Sequence, residues 1–272
     1  MVGSPIAHSL SPTLHRAAYR QLGLDWGYDR HEVRAGGLDE FADGLDRGWR
    51  GLSVTMPLKE EAAALAHGAD RVVELTGAAN TLLLDAGRRI ARNTDVAGVE
   101  RALRDAGAAE VEHAVIAGAG ATARSVLVAL DALGLRGVTA LVRDPARAVA
   151  FVRLADELGL EVDLVDIAEL AHLVDGTDVV AWTLPNGVPL PVGVTIPDAP
   201  GAVALDVTYS PWPGPLAAPW LTAGGRVASG RDMLLHQAVR QVRFFVSGQT
   251  ESALPDEEAV EAAMRAALPE AS

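Results

Sequence analysis

Apolar runs that alternate with amphipathic segments in the middle of the chain constrain its fold most strongly. The runs are His113–Ala117, Val138–Val142, Val162–Val165, Val179–Thr183 and Val203–Val207. The segments between the first three runs predict helices over about Thr122–Leu133 and near Ala146–Leu158. Short, almost wholly apolar strands separated by helices are typical of a parallel sheet covered on both faces. The sequence therefore predicts an α/β domain with a doubly wound parallel sheet.

Between the first of these strands and its helix lies a loop of small residues that is typical of dinucleotide sites. The residues are Gly118, Ala119, Gly120, Ala121, Thr122 and Ala123. Gly118 suits a tight turn, Gly120 would let the backbone approach a pyrophosphate, and Ala123 would let helix and strand pack closely. The N–H groups that begin the helix would face the anion. A structural glycine turn is the alternative, and the position after a strand favours a nucleotide site in a Rossmann-like domain.

Two arginines at the end of the second strand bear on which dinucleotide would bind. Enzymes that use NAD usually place an acidic residue here, which binds the ribose hydroxyls. Arg143 stands there instead, and Arg147 follows one helical turn later. Because a guanidinium can bind a 2′-phosphate through paired hydrogen bonds, the two arginines favour NADP. A solvated basic pair beside Asp144 is the alternative.

The segments on either side of this region carry helix patterns of their own. Helices are expected over Ser11–Leu22, from Pro57 onward, over Thr94–Asp105, over Met233–Gly248 and over Asp256–Ala267. Pro12 and Pro57 suit the first helical turn, where the missing N–H is not needed. The Pro- and Gly-rich stretch Pro185–Pro200 is expected to be a loop.

The overall composition excludes several classes of protein. The chain has 272 residues, 49% hydrophobic and 22% charged, which is enough to bury a core and long enough to favour two domains. Its net charge of -13 argues against a nucleic-acid partner, because phosphate binding needs a basic surface. There is no cysteine, and the histidines do not cluster with acidic residues, so neither disulfides nor a metal site is expected. No apolar run is long enough for a membrane helix, and a cytoplasmic location is expected. The expected partner is a small-molecule substrate.

Five short motifs rich in polar residues lie outside the glycine-rich loop. They are Ser9–Pro12, Ser53–Lys59, Gly77–Thr81, Asn93–Asp95 and Gly230–Gln237. In this order, with the glycine-rich loop before the last of them, they resemble the shikimate dehydrogenase family over nearly the whole chain. The resemblance implies an NADP-dependent oxidoreductase that reversibly reduces 3-dehydroshikimate to shikimate in aromatic amino-acid biosynthesis.

The resemblance also implies two domains that face each other across a cleft. Residues 1–95 and 230–272 would form a discontinuous α/β substrate-binding domain, and residues 96–229 a Rossmann-like NADP domain. Ser9 and Ser11 would bind the substrate carboxylate. The ring hydroxyls would be surrounded by Thr55, Lys59, Asn80, Asp95 and Gln237, with Tyr209 contributing from the other side. Thr183 and Gly230 would join the glycine-rich loop and the two arginines in holding the cofactor.

Lys59 and Asp95 are the candidate catalytic pair. Reduction of a ketone needs a hydride and a proton donor at the oxygen, and an ammonium beside a carboxylate can hold and release that proton. The sequence does not decide which of the two carries the proton, so they are assigned jointly. Taken singly, Lys59 could be a solvated surface charge and Ser11 an N-cap. Asn80 and Asp95 could be turn or cap residues, and Gln237 one polar position on an amphipathic helix.

The sequence departs from the family pattern at several positions. Ser53 stands where the family usually has Asn, and Val142 precedes Arg143 where Asn is common. Trp182 is a large residue in a stretch that helps to hold the cofactor. These departures leave open a relative that acts on quinate or aminoshikimate, with NAD as a possible cofactor. A non-catalytic protein that binds a dinucleotide or a cyclohexene acid as a sensor is an alternative of another class. A monomer or a homodimer is expected.

Overall fold

The computed structural model describes residues 1–170, 176–198 and 200–269. Its contacts divide the chain into two compact units. Unit 1 comprises Met1–Asp95 and the described residues from Leu235 onward, and unit 2 comprises Val96–Leu234.

The secondary structure of the described residues is mixed α/β. The strands are β1 (Val2–Gly3), β2 (His31–Glu32), β3 (Gly51–Ser53), β4 (Thr81–Asp85), β5 (Arg88–Arg92), β6 (His113–Ala117), β7 (Gly137–Leu141), β8 (Glu161–Val165), β9 (Val179–Trp182), β10 (Val203–Asp206) and β11 (Arg226–Ser229). The α-helices are α1 (Ser11–Gln21), α2 (Leu38–Asp43), α3 (Lys59–Ala64), α4 (Arg71–Thr76), α5 (Asp95–Asp105), α6 (Ala121–Asp131), α7 (Val149–Leu158), α8 (Ala217–Thr222), α9 (Gly230–Ser247) and α10 (Glu257–Ala267). Short 3-10 helices cover Pro145–Ala148 and Ile167–Glu169.

Unit 2 contains the predicted parallel sheet. Its described strands run in the order β11-β10-β9-β6-β7-β8, and every neighbouring pair is parallel. Numbered along the unit, this is the 3-2-1-4-5-6 order of Rossmann-like domains, which confirms the expected fold class. The five predicted strands agree with the structure to within one residue at either end, because buried parallel strands are continuous apolar runs. The edge strand β11 was not predicted.

Unit 1 is built around a small antiparallel sheet that the sequence did not predict. Strand β4 pairs with β3 on one side and with β5 on the other, with Thr81 opposite both Ser53 and Arg92. The two-residue strands β1 and β2 form a separate parallel pair. Gly51 allows α9 to pack closely, since a Cβ there would lie 2.5 Å from the Phe245 ring. This packing brings the face of α9 onto the start of β4.

Several predicted helix starts are wrong by one to three residues; the helix expected from Met233, for example, begins at Gly230. The helix expected from Pro57 begins at Lys59, because the N–H of Leu58 first closes a turn onto the carbonyl of Thr55 at 2.9 Å. The helix expected from Thr94 begins at Asp95, whose N–H donates to the Asn93 side chain at 3.0 Å. Both corrections leave the candidate catalytic residues at the first position of their helices. No helix in the described part of the chain is long and apolar enough to cross a membrane.

Candidate active site

The serine pair lies where the chain enters α1. The hydroxyls of Ser9 and Ser11 are 3.3 Å apart and both residues are buried. Arg30 donates to the carbonyl of Ser9 at 2.5 Å, which fixes the backbone of the loop. The N-cap alternative for Ser11 is wrong, because Leu10 occupies the N-cap position and Ser11 is the first helical residue. The Ser9 hydroxyl accepts from the N–H of Ser11 at 3.3 Å, so Ser9 and not Ser11 serves the helix end.

Lys59 and Asp95 form a buried ion pair. Lys59 Nζ lies 2.6 Å from Asp95 Oδ2, and the two side chains are 13% and 7% exposed. A solvated lysine would be far more exposed, so that alternative is excluded. Of the 23 Lys and Arg residues in the sequence, Lys59 is the only lysine. The other 22 residues of this kind are arginines, whose guanidinium keeps its proton in proteins.

Asn80 connects this ion pair to α9. Its Nδ2 donates to Asp95 Oδ1 at 2.8 Å and to Gln237 Oε1 at 3.2 Å. Its Oδ1 accepts from the N–H of Thr94 at 2.9 Å and from the hydroxyl of Thr81 at 2.8 Å. Asn80 is 2% exposed, so the side chain is a buried hydrogen-bonding centre rather than a turn residue. The structure thus brings Lys59, Asp95, Asn80 and Gln237 together as the sequence motifs predicted.

Two other predicted substrate residues have less defined surroundings. Thr55 is half-buried in the turn before α3, and its N–H donates to the carbonyl of Val2 at 3.0 Å. Tyr209 is half-buried in unit 2, in the loop that follows β10. The buried carboxylate of Asp206 holds this loop, since it accepts from the N–H groups of Thr208, Leu216 and Ala217 at 2.9–3.0 Å.

The glycine-rich loop follows β6 and leads into α6. Gly118 has a φ of +108°, and a Cβ on it would lie 2.7 Å from Thr183 Oγ1. Thr183 in turn donates to the carbonyl of Ala117 at 2.7 Å, which ties β9 to the loop. Gly120 is the N-cap of α6, has open space where a Cβ would stand, and leaves the helix without a side-chain cap. Ala123 is fully buried, as expected for the small residue that packs the helix on the strand.

The arginines after β7 remain available to a ligand. Arg143 and Arg147 are exposed, and neither forms an ion pair with any residue that the structure describes. Asp144 instead caps the following 3-10 helix by accepting from the N–H of Ala146 at 3.0 Å. The alternative of a solvated basic pair beside Asp144 is equally consistent with these exposed side chains. The loop and the two arginines together fit a dinucleotide with a 2′-phosphate.

Two further positions have packing roles that the sequence did not indicate. Trp182, which the family resemblance placed near the cofactor, is fully buried in the core of unit 2. Gly230 begins α9, where a Cβ would lie 2.5 Å from the carbonyl oxygen of Val207. Close approach of the backbone is thus a sufficient reason for glycine at this position.

A second layer of polar residues, centred on Gln241, lies behind Asn80 and was not predicted from the sequence. Ser53 donates to Gln241 Oε1 at 2.7 Å, so the residue that replaces the family's usual Asn faces this layer. His15 Nε2 lies 3.1 Å from the same oxygen. Burial lowers the pKa of His15 to about 3, so the ring is neutral. Tyr28 stacks on this ring at 4.1 Å, and its hydroxyl lies against those of Ser11 and Ser53 without reaching hydrogen-bond geometry with a described residue.

Among the residues that the structure describes, no three His, Asp or Glu side chains are grouped so that they could hold a metal ion.

The fold and these two groups of residues define a dinucleotide-dependent oxidoreductase with a polar site in a separate unit, and comparisons with known proteins specify which kind. The family model for the shikimate dehydrogenase substrate binding domain matches residues 1–82. The shikimate dehydrogenase (NADP(+)) of Sinorhizobium fredii is 37% identical over 246 residues, which cover 88% of this chain and 85% of that protein. The crystal structure of Mycobacterium tuberculosis shikimate dehydrogenase is 38% identical with a TM-score of 0.78, and the match covers 97% of each chain. A shikimate 5-dehydrogenase from Thermus thermophilus in complex with NADP(H) and shikimate is 31% identical with a TM-score of 0.80, over 98% of each chain. The chain belongs to the shikimate dehydrogenase family.

Proposed function

We propose that this protein is an NADP-dependent shikimate dehydrogenase that interconverts 3-dehydroshikimate and shikimate. The observation that carries the proposal is the buried Lys59–Asp95 pair, whose carboxylate is held by Asn80. The Thermus thermophilus relative, which binds NADP(H) and shikimate, supports the choice of substrate and cofactor.

Ser9 and Ser11 would bind the carboxylate of the substrate. Each hydroxyl can donate one hydrogen bond, and the Ser11 hydroxyl does not cap α1. Thr55, Asn80, Gln237 and Tyr209 would recognise the ring hydroxyls, because amide and hydroxyl groups can donate to and accept from an alcohol. A site built in this way should reject an analogue that lacks the recognised hydroxyl.

Lys59 and Asp95 would donate a proton to the reacting oxygen of the substrate and accept it in the reverse direction. An ammonium has three donors, and the bond to Asp95 uses one of them. Lys59 can therefore donate to the substrate oxygen while Asp95 fixes its direction. In the oxidative direction the same pair accepts the proton that the alcohol loses. The two groups act as one unit, and the proton belongs to the pair.

The glycine-rich loop and its neighbours would hold NADP in unit 2. Residues 118–123 would bind the pyrophosphate at the start of α6, and Arg143 with Arg147 would bind the 2′-phosphate. Thr183 and Gly230 would line the cofactor site from the ends of β9 and α9. NADPH supplies the hydride when it is bound.

The test is a spectrophotometric assay of NADP reduction with shikimate on the wild type, Lys59→Met and Lys59→Arg. Methionine keeps the side chain unbranched and only one atom shorter but removes the amine, whereas arginine keeps the charge but does not release its proton at ordinary pH. Both variants should lose roughly 10²–10⁴-fold in kcat, the range expected when a general acid is removed. Activity in Lys59→Arg close to wild type would show that only the charge matters.

Assays of the folded wild type with other substrates separate the remaining possibilities. Turnover of quinate or an aminoshikimate in place of shikimate would replace the substrate in the proposal and leave the catalytic pair in place. Binding of shikimate and NADP without turnover, unchanged in Lys59→Met, would refute an enzymatic role.

A further inference from the structure

Gln241 lies on α9 one helical turn after Gln237, so both amides project from the same face of the helix. Its side chain makes four hydrogen bonds and is 2% exposed as a residue. Oε1 accepts from Ser53 at 2.7 Å and meets His15 Nε2 at 3.1 Å. Nε2 donates to the carbonyl oxygen of Asn80 and to Thr81 Oγ1, both at 2.9 Å. Every hydrogen-bonding position of this amide is thus in use.

The chemistry of these partners allows one orientation of the Gln241 amide. A backbone carbonyl can only accept, so Gln241 must present its NH₂ group to Asn80. Its oxygen is then left for Ser53 and His15, and His15 must carry its proton on Nε2. The hydroxyl of Tyr19, 3.3 Å from His15 Nδ1, can donate to the remaining ring nitrogen. The result is a rigid clamp between α1, β3, β4 and α9.

A short relay of hydrogen bonds, through Thr81 and Asn80, connects the clamp to Asp95 of the candidate catalytic pair. Because Gln241 donates to Thr81 Oγ1, the hydroxyl proton of Thr81 is directed to Asn80 Oδ1 at 2.8 Å. The N–H of Thr94 donates to the same oxygen at 2.9 Å. With both donors on its oxygen, Asn80 must turn its NH₂ group to Asp95 Oδ1 at 2.8 Å. In the described part of the chain, Lys59 is the one charged side chain paired with Asp95.

We propose that Gln241 is a positioning residue that, through the Thr81 hydroxyl, holds the Asn80 amide in the orientation that aligns Asp95 and Lys59. The inference rests on the proposed function, because its effect is seen in the proton transfer that Lys59 and Asp95 carry out. Gln241 itself contacts side chains and backbone behind the site, so it acts through Asn80.

Substitution of Thr81 tests the relay with a matched pair of variants. Thr81→Val keeps the shape of the side chain and removes the hydroxyl, whereas Thr81→Ser keeps the hydroxyl and removes a methyl group. We expect kcat to fall about tenfold in Thr81→Val, which corresponds to the loss of one buried hydrogen bond. The solvent deuterium isotope effect on kcat should rise, since proton transfer becomes slower. KM for shikimate should change less than kcat. The Thr81→Ser variant should keep the wild-type kcat and the wild-type solvent isotope effect.

Gln241→Met provides the second variant, and the single lysine provides a direct observation. Biosynthetic labelling with ¹³Cε-lysine gives one side-chain resonance, from Lys59, in the otherwise unlabelled protein. This resonance should move in Thr81→Val and in Gln241→Met, and should stay near its wild-type position in Thr81→Ser. If Gln241→Met does not fold, the Thr81 pair decides the question.

The outcomes separate this inference from the proposed function. A wild type that shows no NADP-linked turnover of shikimate refutes the proposed function, whatever the variants do. An active wild type whose Thr81→Val variant keeps its kcat, its isotope effect and its Lys59 resonance refutes the relay. Equal losses in Thr81→Val and Thr81→Ser also refute it, because the methyl group and not the hydroxyl would then be responsible.

Discussion

Acidification should destabilise the protein through His15, and the structure gives the size of the effect. The ring is fully buried, stacked on Tyr28 at 4.1 Å with an interplanar angle of 17°, and bonded to Gln241. Burial is the largest cause that lowers its pKa, from 6.5 to about 3. The charge of the Met1 ammonium lowers the pKa further, and the hydrogen bond to Gln241 raises it.

The direction follows from proton binding in the two states. The unfolded chain protonates His15 near pH 6.5, whereas the folded chain keeps it neutral down to about pH 3. Between these values the unfolded state binds one more proton, so acid favours unfolding. The stability that the neutral ring allows is complete above pH 6.5 and is lost as the pH falls toward 3. Binding of one extra proton by the unfolded state lowers the free energy of unfolding by ~1.4 kcal/mol per pH unit well inside this window. Between pH 7.5 and pH 5.0 the loss is about 2 kcal/mol.

The measurement is urea-induced unfolding of the wild type and His15→Gln at pH 7.5 and pH 5.0. Glutamine can still donate to Gln241 but does not titrate, and it loses the stacking contact with Tyr28. The variant should be less stable at pH 7.5 and should lose about 2 kcal/mol less than the wild type on acidification. The amino group of Met1, whose pKa burial lowers to about 5, titrates in both proteins, so the difference between them reports mainly on His15. Equal losses in the two proteins would refute the assignment of a neutral, buried ring to His15.

Three further variants test the binding residues. Gly118→Ala should lower the Tm and raise KM for NADP at least about tenfold, because φ is +108° and the new Cβ would meet Thr183 Oγ1 at 2.7 Å; thermal unfolding and cofactor titration measure the two effects. Arg143→Ala should weaken the binding of NADP about tenfold or more and leave the binding of NAD almost unchanged, since only NADP carries the 2′-phosphate. An equal rise in KM for both cofactors would contradict this role. Ser11→Ala should raise KM for shikimate about tenfold with a smaller change in kcat, because one donor to the carboxylate is lost, while the Kd for NADP measured by fluorescence should not change.

The parts of the fold that could be predicted are those with a local pattern. Buried parallel strands such as β6 and β9 are continuous apolar runs, and each can be identified without knowing its neighbours. The antiparallel sheet of unit 1 lacks such a pattern: β5 has the sequence Arg-Arg-Ile-Ala-Arg, which reads equally well as an exposed segment. Its strand character comes from pairing with β4, which buries Ala91 while the arginines remain at least partly exposed.

The residues of the candidate site also differ in whether a local sequence pattern could identify them. Lys59, Asn80 and Asp95 lie in motifs that the family resemblance identifies, and the structure brings them together. Gln241 could not be found in this way, since its partners Asn80 and Ser53 are 161 and 188 positions away in the chain. The available sign was its spacing of four residues from Gln237 on one helix, which indicates a shared face but not what that face contacts.

Arginine and lysine have different roles in this chain: arginines form structural ion pairs, and the single lysine is the proposed catalytic residue. Arginine forms the fixed ion pairs, such as that of Arg243 with Glu257 at 2.6 Å, where a planar group with a permanent charge gives two parallel hydrogen bonds. The only lysine stands at the first residue of α3, against a carboxylate that Asn80 already binds. An arginine could form the same ion pair, but it would not give up a proton at ordinary pH. The pairing with Asp95 therefore does not by itself require lysine, whereas proton transfer to a substrate oxygen does.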